Sequence, residues 1–197
     1  MKRMAKKMKN LRMIGILSAL FCLIVGPTYG QVKNDTSKIL IVYFSYTGNT
    51  RALAEQIQEQ TGGKLVEIVP VTPYSKDYDK VVEQGNKEVK AGFKPAIKTK
   101  IPDMASYDII FVGSPIWWYA IAPPVSTFLS ENNLQGKKIV PFITHGGYGL
   151  GHSIEDIKKL CHGATLLKEY GIEGKQVNEI PSGATRWLKN LGLLQQK

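Results

Sequence analysis

Cysteine is nearly absent from this 197-residue sequence, which has only Cys22 and Cys161. Cys22 lies in a segment expected to be removed, so no intramolecular disulfide is available and stability must come from a packed core. Acidic residues are missing from the first thirty positions, whereas six of the 26 basic residues precede residue 13. From Gln31 onward twenty basic side chains face sixteen acidic ones, with no Lys/Arg run and no interleaved aromatics. Sequence-independent binding of nucleic acid is therefore not expected. No apolar run reaches the roughly 18 residues needed to span a bilayer. The P-loop pattern is also missing, which disfavours nucleoside triphosphates, and no internal repeat or interior linker is found. What is present, 43% hydrophobic and 21% charged residues, is the composition of an ordinary globular domain.

The first thirty residues have the layout of a secretory signal peptide. Met1 to Arg12 is basic, Met13 to Val25 is apolar, and Thr28 and Gly30 place small residues at minus three and minus one before Gln31. Export with cleavage near Gly30 is expected, to the periplasm, with no permanent span afterwards. A lipoprotein fits less well, because Cys22 follows bulky Phe21. Residues 31–37 read as a flexible lead-in and 38–197 as one domain. Cys161 shares a helical spacing with Ile154 and Ile157, the pattern of an inert buried thiol.

Within the domain, Ile39 to Phe44 is an unbroken apolar run rich in β-formers and too short for a helix, hence a strand buried on both faces. Similar runs recur at Leu65 to Val71, Ile109 to Val112, Ile139 to Thr144 and, more weakly, Ala164 to Leu167. Helical patterns alternate with them over Thr50 to Gln60, Lys76 to Ala91, Pro124 to Glu131, Ser153 to Cys161 and Thr185 to Leu191. The alternation predicts an α/β fold, a three-layer sandwich around a five-stranded parallel sheet. Pro141 lacks a ladder donor, so a bulge or an outward-facing nitrogen is expected there.

Ligands of such sheets sit beyond the carboxyl ends of the strands, and three loops there are unusual. After the first strand, Ser45-Tyr46-Thr47-Gly48-Asn49-Thr50 concentrates hydroxyls and a glycine at a helix start. Unsatisfied amides at the positive end of a helix dipole make this a candidate cradle for a terminal phosphate. The alternative is a turn capped by its own side chains. After the third strand stands Ser114-Pro115-Ile116-Trp117-Trp118-Tyr119, followed by Ala120-Ile121-Ala122-Pro123-Pro124. Its rings suit stacking on a flat heteroaromatic ligand, although at least one tryptophan is expected to pack under the third helix. After the fourth strand, His145-Gly146-Gly147-Tyr148-Gly149 offers backbone amides to a planar ligand's edge and Tyr148 to its face. A dinucleotide fingerprint fails here, because His152 stands where the third glycine would fall. His145 either fixes its own loop or contacts a ligand. No metal-ligand cluster is read from the sequence.

The hydroxyl-rich loop after strand one resembles the binding loop of the flavodoxin family for the 5'-phosphate of FMN, and the five-fold alternation is similar to that family over roughly Lys38 to Leu194. The resemblance implies strand order 2-1-3-4-5 and FMN bound noncovalently at the switch point. It places Ser45 to Thr50 at the phosphate, Ser114 to Tyr119 beside the isoalloxazine and His145 to Gly149 at its pyrimidine end. The Pro-Ile-Trp-Trp string before a double proline is similar to a bacterial flavodoxin-like subfamily, in which glycine often follows the aromatic pair where Tyr119 stands here.

The function implied is electron transfer through a bound flavin outside the cytoplasm, by a monomer whose partner is a redox protein or a small-molecule electron acceptor. An FMN-dependent NAD(P)H oxidoreductase acting on quinones or nitro compounds is the alternative, and a flavin-free ligand-binding module a third. Ser182-Gly183-Ala184-Thr185 is similar to the core of a motif for covalent FMN attachment at threonine. The usual upstream Asp-Gly is missing, however, and Ser182 as a helix N-cap explains the same residues.

Overall fold

The computed structural model describes residues 38–179 and 181–194. The signal peptide expected over residues 1–30 and the lead-in expected over residues 31–37 lie outside the described residues. The first strand, β1 (Ile39–Tyr43), leads through the hydroxyl-rich loop into α1 (Asn49–Thr61), followed by β2 (Lys64–Glu67) and α2 (Tyr78–Ala91). Next come β3 (Ile109–Trp117), a two-residue β4 (Ala120–Ile121) and α3 (Pro123–Glu131). The chain ends with β5 (Lys138–His145), α4 (Ser153–Leu160), β6 (Thr165–Leu166), β7 (Tyr170–Glu173) and α5 (Pro181–Asn190).

The sheet runs β2-β1-β3-β5 with all neighbours parallel, and β6 and β7 together fill the fifth place beside β5. The predicted order is therefore present, but the outermost strand is split. Lys138 and Ile139 pair with Thr165 and Leu166, and pairing resumes only at Phe142 with Tyr170. Pro141 lies in that gap. Its register with β3 is unbroken, and the odd-numbered carbonyls of β5 face outward, since Lys137 O and Ile139 O accept from Thr165 N and Leu167 N. The proline nitrogen thus points toward β6 and β7, at the gap between their pairings where no ladder bond is made.

Strand alternation sorts the core into two layers. Leu40, Val42, Ile110, Val112, Ile139 and Ile143 face one side with Val125 and Phe128 of α3 and Ile157 of α4. Ile41, Tyr43, Phe111, Val140 and Phe142 face the other, under Leu53 and Ile57 of α1 and Trp187 and Leu188 of α5. Strands buried on both faces explain the unbroken apolar runs. Cys161 belongs to the first layer, 3% exposed, and burial pushes its thiol up to about 12.

Several boundaries depart from the sequence expectation. The β2 ladder stops at Glu67, because its partner β1 ends at Tyr43, and the following residues turn to pair Pro70 with Ile97. α2 starts at Tyr78 rather than Lys76, because the Asp77 side chain accepts the amides of Asp79 and Lys80. α5 begins at Pro181, a residue preorganised for a first helical position, so Ser182 sits inside the first turn and does not cap it. The strands β4 and β7 were not expected.

Candidate functional site

Three strand-end loops meet α2 around a cavity of about 480 Å³. It lies within the 300–1,000 Å³ typical of small-molecule sites. Tyr46, Thr47 and Asn49 come from the first loop, Pro115 to Tyr119 from the end of β3, and Thr144, His145, Gly146 and Tyr148 from the end of β5. Tyr78, Val81, Val82 and Gly85 of α2, with Gly174 after β7, complete the lining and were missed from sequence. Ser45, Gly48, Thr50, Ser114, Gly147 and Gly149 do not line the cavity; they hold or flank the residues that do.

The first loop is built by its own polar groups. Ser45 Oγ accepts the amide of Gly48 at 3.2 Å, and Asn49 Nδ2 donates to Thr47 Oγ1 at 3.3 Å. Thr50, 1% exposed, shares a 2.8 Å hydroxyl hydrogen bond with Thr144, which ties the loop after β1 to the end of β5. Gly48 is at φ 94, a left-handed value closed to most side chains, and no side chain caps α1. The first-turn amides have no intrahelical acceptor and stay available at the positive end of the dipole. The loop is thus closed by its own side chains at Gly48, while the helix start itself carries no side-chain cap. Arg51, the nearest cation on α1, is held by Glu67 at 2.6 and 2.7 Å.

The second loop is a β-hairpin. Trp117 pairs with Ala120, leaving Trp118 and Tyr119 as a two-residue turn with φ of 49 and 66. Such turns normally use Asn-Gly, and each bulky residue held there costs on the order of 1–3 kcal/mol. The turn is fastened on both flanks. Trp118 Nε1 donates to Val82 O on α2 at 3.0 Å, and Tyr119 O accepts from His152 N at the start of α4 at 2.8 Å. Ser114, fully buried, donates to Pro115 O and accepts from Ala122 N, closing the base of the hairpin.

Both tryptophans reach α2, Trp117 at Gly85 and Trp118 at Val82, and Trp117 also packs against the core layer that holds α3. A Cβ on Gly85 would lie 3.0 Å from Trp117 Cε3, so a larger residue at this helix position would press on the ring. Behind the ring stand Phe44, Tyr46 and Tyr74 in edge-on contacts, with centroids 4.9–6.2 Å away. Tyr74 in turn donates to Glu88 at 2.6 Å. Burial first, then that carboxylate, raises the phenol's pKa above its ordinary value.

In the third loop, Gly147 N donates to His145 Nδ1 at 3.1 Å, so the neutral imidazole carries its proton on Nε2. His145 therefore fixes its own loop, and it also lines the cavity. Among the described residues, no Lys, Arg, Asp or Glu lines it.

A family model for flavodoxins matches residues 38–191. The chain belongs to the flavodoxin family. A Bacteroides eggerthii crystal structure assigned as a flavoprotein is 32% identical at a TM-score of 0.66, covering 79% of this chain and 98% of its own. One from Bacteroides uniformis, assigned likewise, is 27% identical at a TM-score of 0.68, covering 78% and 98%. A Lactobacillus acidophilus flavoprotein, solved in complex with FMN, is 24% identical at a TM-score of 0.61, covering 73% and 97%. No curated protein matches the chain significantly.

Proposed function

We propose that this flavodoxin-family chain binds FMN noncovalently in the cavity and passes electrons through it outside the cytoplasm. The observation that carries the reading is the convergence of an uncapped helix start beside Thr47 and Asn49, aromatic walls at Trp117 and Trp118, and a glycine loop in one uncharged cavity. The FMN complex of the Lactobacillus acidophilus flavoprotein of similar fold supports it.

The residues present fit the group. A phosphate needs donors rather than a side-chain cation when amides of a helix start point at it, and the first turn of α1 with the Thr47 hydroxyl supplies them. Trp117, Trp118, Tyr119 and Tyr148 would offer ring faces to a flat heteroaromatic, and His145 Nε2–H and the Gly146 backbone would supply polar groups to its edge. Bound FMN would supply the one- and two-electron chemistry. The chain's part is to bind, to orient and to exclude water, and no side chain need act as nucleophile, acid or base. Export rests on the signal-peptide layout of residues 1–30.

Titrating the purified apoprotein with FMN tests the binding, read as quenched flavin fluorescence and a shifted visible spectrum. One FMN per chain is the expected stoichiometry, and no uptake would overturn the reading. For location, the intact mass of protein from the cell envelope should lack residues 1–30. A mass that retains them overturns processing.

A further inference from the structure

The buried side of α2 is Val81, Gly85 and Glu88, a helical stripe whose third position is a carboxylate. Val81 and Gly85 line the cavity, whereas Glu88 stands behind it on the next turn, only 9% exposed. Nothing local favours a charge there. Among the described residues no Lys, Arg or His pairs with this carboxylate. Lys87 pairs with Glu83, and Lys94 and Lys159 border a shallow groove beside Glu88 without an ion pair to it. Its place in the last turn of α2 also sets it at the negative end of the helix dipole. A leucine would fill the stripe without either penalty, so packing does not explain the carboxylate.

Two hydrogen bonds end on it. Gln84 Nε2 donates to Oε1 at 2.7 Å, and the Tyr74 hydroxyl donates to Oε2 at 2.6 Å. Gln84 is exposed and has water as an alternative, whereas Tyr74 belongs to the irregular segment between β2 and α2, where no ladder or helix sets a side chain's direction. The backbone of that segment is tied at Val71, whose amide donates to Ala96 O, and at Ser75, whose carbonyl accepts the Tyr46 hydroxyl at 2.9 Å. Between these ties the Tyr74 side chain is directed by Glu88, through a charge-assisted bond of the stronger kind. Its ring meets Trp117 at 4.9 Å between centroids, the shortest of the three aromatic contacts on that indole. Among the described residues, Trp118 and Trp187 donate their indole N–H groups to carbonyls and Trp117 donates none, so packing alone orients it. Trp117 thus stands between Gly85 and Tyr74, and Glu88, on the helix of the first, holds the second.

We infer that Glu88 is a positioning residue of the flavin site: from outside the cavity its carboxylate fixes the Tyr74 ring, and through that ring the plane that Trp117 presents to FMN. The inference rests on the FMN reading above. Tyr74→Phe combined with Glu88→Leu tests it, because the pair removes the whole polar link and leaves neither partner orphaned. Replacing both partners of a buried polar contact by apolar groups of like shape is neutral or stabilising, so the urea midpoint should stay at or above that of the wild type. The FMN dissociation constant should nevertheless rise about tenfold or more, and the visible bands of the bound flavin should move toward those of free FMN. Glu88→Leu alone should weaken FMN as much as the pair does, since the carboxylate acts through Tyr74. Glu88→Gln keeps an oxygen for the phenol and should return the affinity to within about threefold of the wild type. Should Glu88→Leu alone not fold, the pair and Glu88→Gln carry the same comparison. Wild-type FMN affinity in the pair, losses that add between Glu88→Leu and Tyr74→Phe, or a Glu88→Gln variant as weak as the pair would each overturn the positioning role while leaving the FMN reading in place. A pair that fails to fold would make the link structural and overturn it as well. Failure of the wild type to bind FMN overturns the FMN reading itself.

Discussion

Threonine serves two distinct purposes in the loop after β1, and substitution separates them. Thr47 is exposed and lines the cavity, whereas Thr50 is buried with its hydroxyl on Thr144. Thr47→Val removes one donor to a charged phosphate and keeps the branched shape. Such a bond contributes about 1.5–3 kcal/mol, so the FMN dissociation constant should rise roughly 10- to 150-fold with little change in the urea midpoint. Thr50→Val instead leaves the Thr144 hydroxyl buried without its partner, at a cost of about 1–3 kcal/mol, and should lower the urea midpoint. Equal FMN affinity in wild type and Thr47→Val would place the phosphate elsewhere. The sequence made this loop legible as polar and glycine-bearing at a helix start. It could not reveal that the second threonine faces inward, because the partner stands 94 positions away.

At the scale of elements, the buried strands were the most readable part, since burial on both faces leaves unbroken apolar runs such as Ile39 to Phe44. β7 escaped because Tyr-Gly-Ile-Glu has no run, and its pairing depends on the second half of β5. α2 was legible as a helix but not as a wall of the site. Its contribution comes from Gly85, where the ring of Trp117 meets the helix, and from the Val82 carbonyl that receives Trp118. Gly85→Ala tests that wall. Alanine in a helix interior is favoured over glycine by about 0.8–1.0 kcal/mol, but its methyl would meet Trp117 at 3.0 Å. With Phe44, Tyr46 and Tyr74 packed around that ring, the free direction is into the cavity. The variant should keep wild-type stability to within about 1 kcal/mol while binding FMN more weakly, as melting curves and FMN titration will read. An unchanged dissociation constant would mean that the ring yields elsewhere.

At the scale of the described domain, most of the two core layers flanks the sheet while the cavity lies beyond its strand ends, so the apoprotein is expected to keep its core, although Tyr46, Ile116 and Trp117 join the first layer to the cavity. Acid groups of the layers make stability fall in alkali. Burial raises Tyr43, Tyr74 and Tyr170, and holds the Cys161 thiol at about 12 against an ordinary 9.0. Above pH 9 the unfolded chain gives up that thiol proton while the folded chain keeps it, so stability present below pH 9 is lost progressively toward pH 12. Urea midpoints should therefore decline over that interval, with a shallower decline in Cys161→Ala, and a flat profile would contradict the assignment. The separation of most of the core from the cavity also bears on how the cofactor is acquired. Under the export proposed above, an unfolded chain would leave FMN behind, and the apoprotein would fold first and capture FMN afterwards. The apoprotein should accordingly unfold cooperatively in urea. FMN at a hundredfold excess over its dissociation constant should add about 2.7 kcal/mol by mass action alone, a rise of roughly 5–10 °C in Tm for a domain of this size. Riboflavin, which has the same ring system but no phosphate, leaves the amides at the start of α1 unused and should raise Tm much less at equal concentration. An apoprotein that stays unfolded until FMN is added would show that the cavity does nucleate the core, and equal stabilisation by riboflavin would remove the phosphate from the first turn of α1.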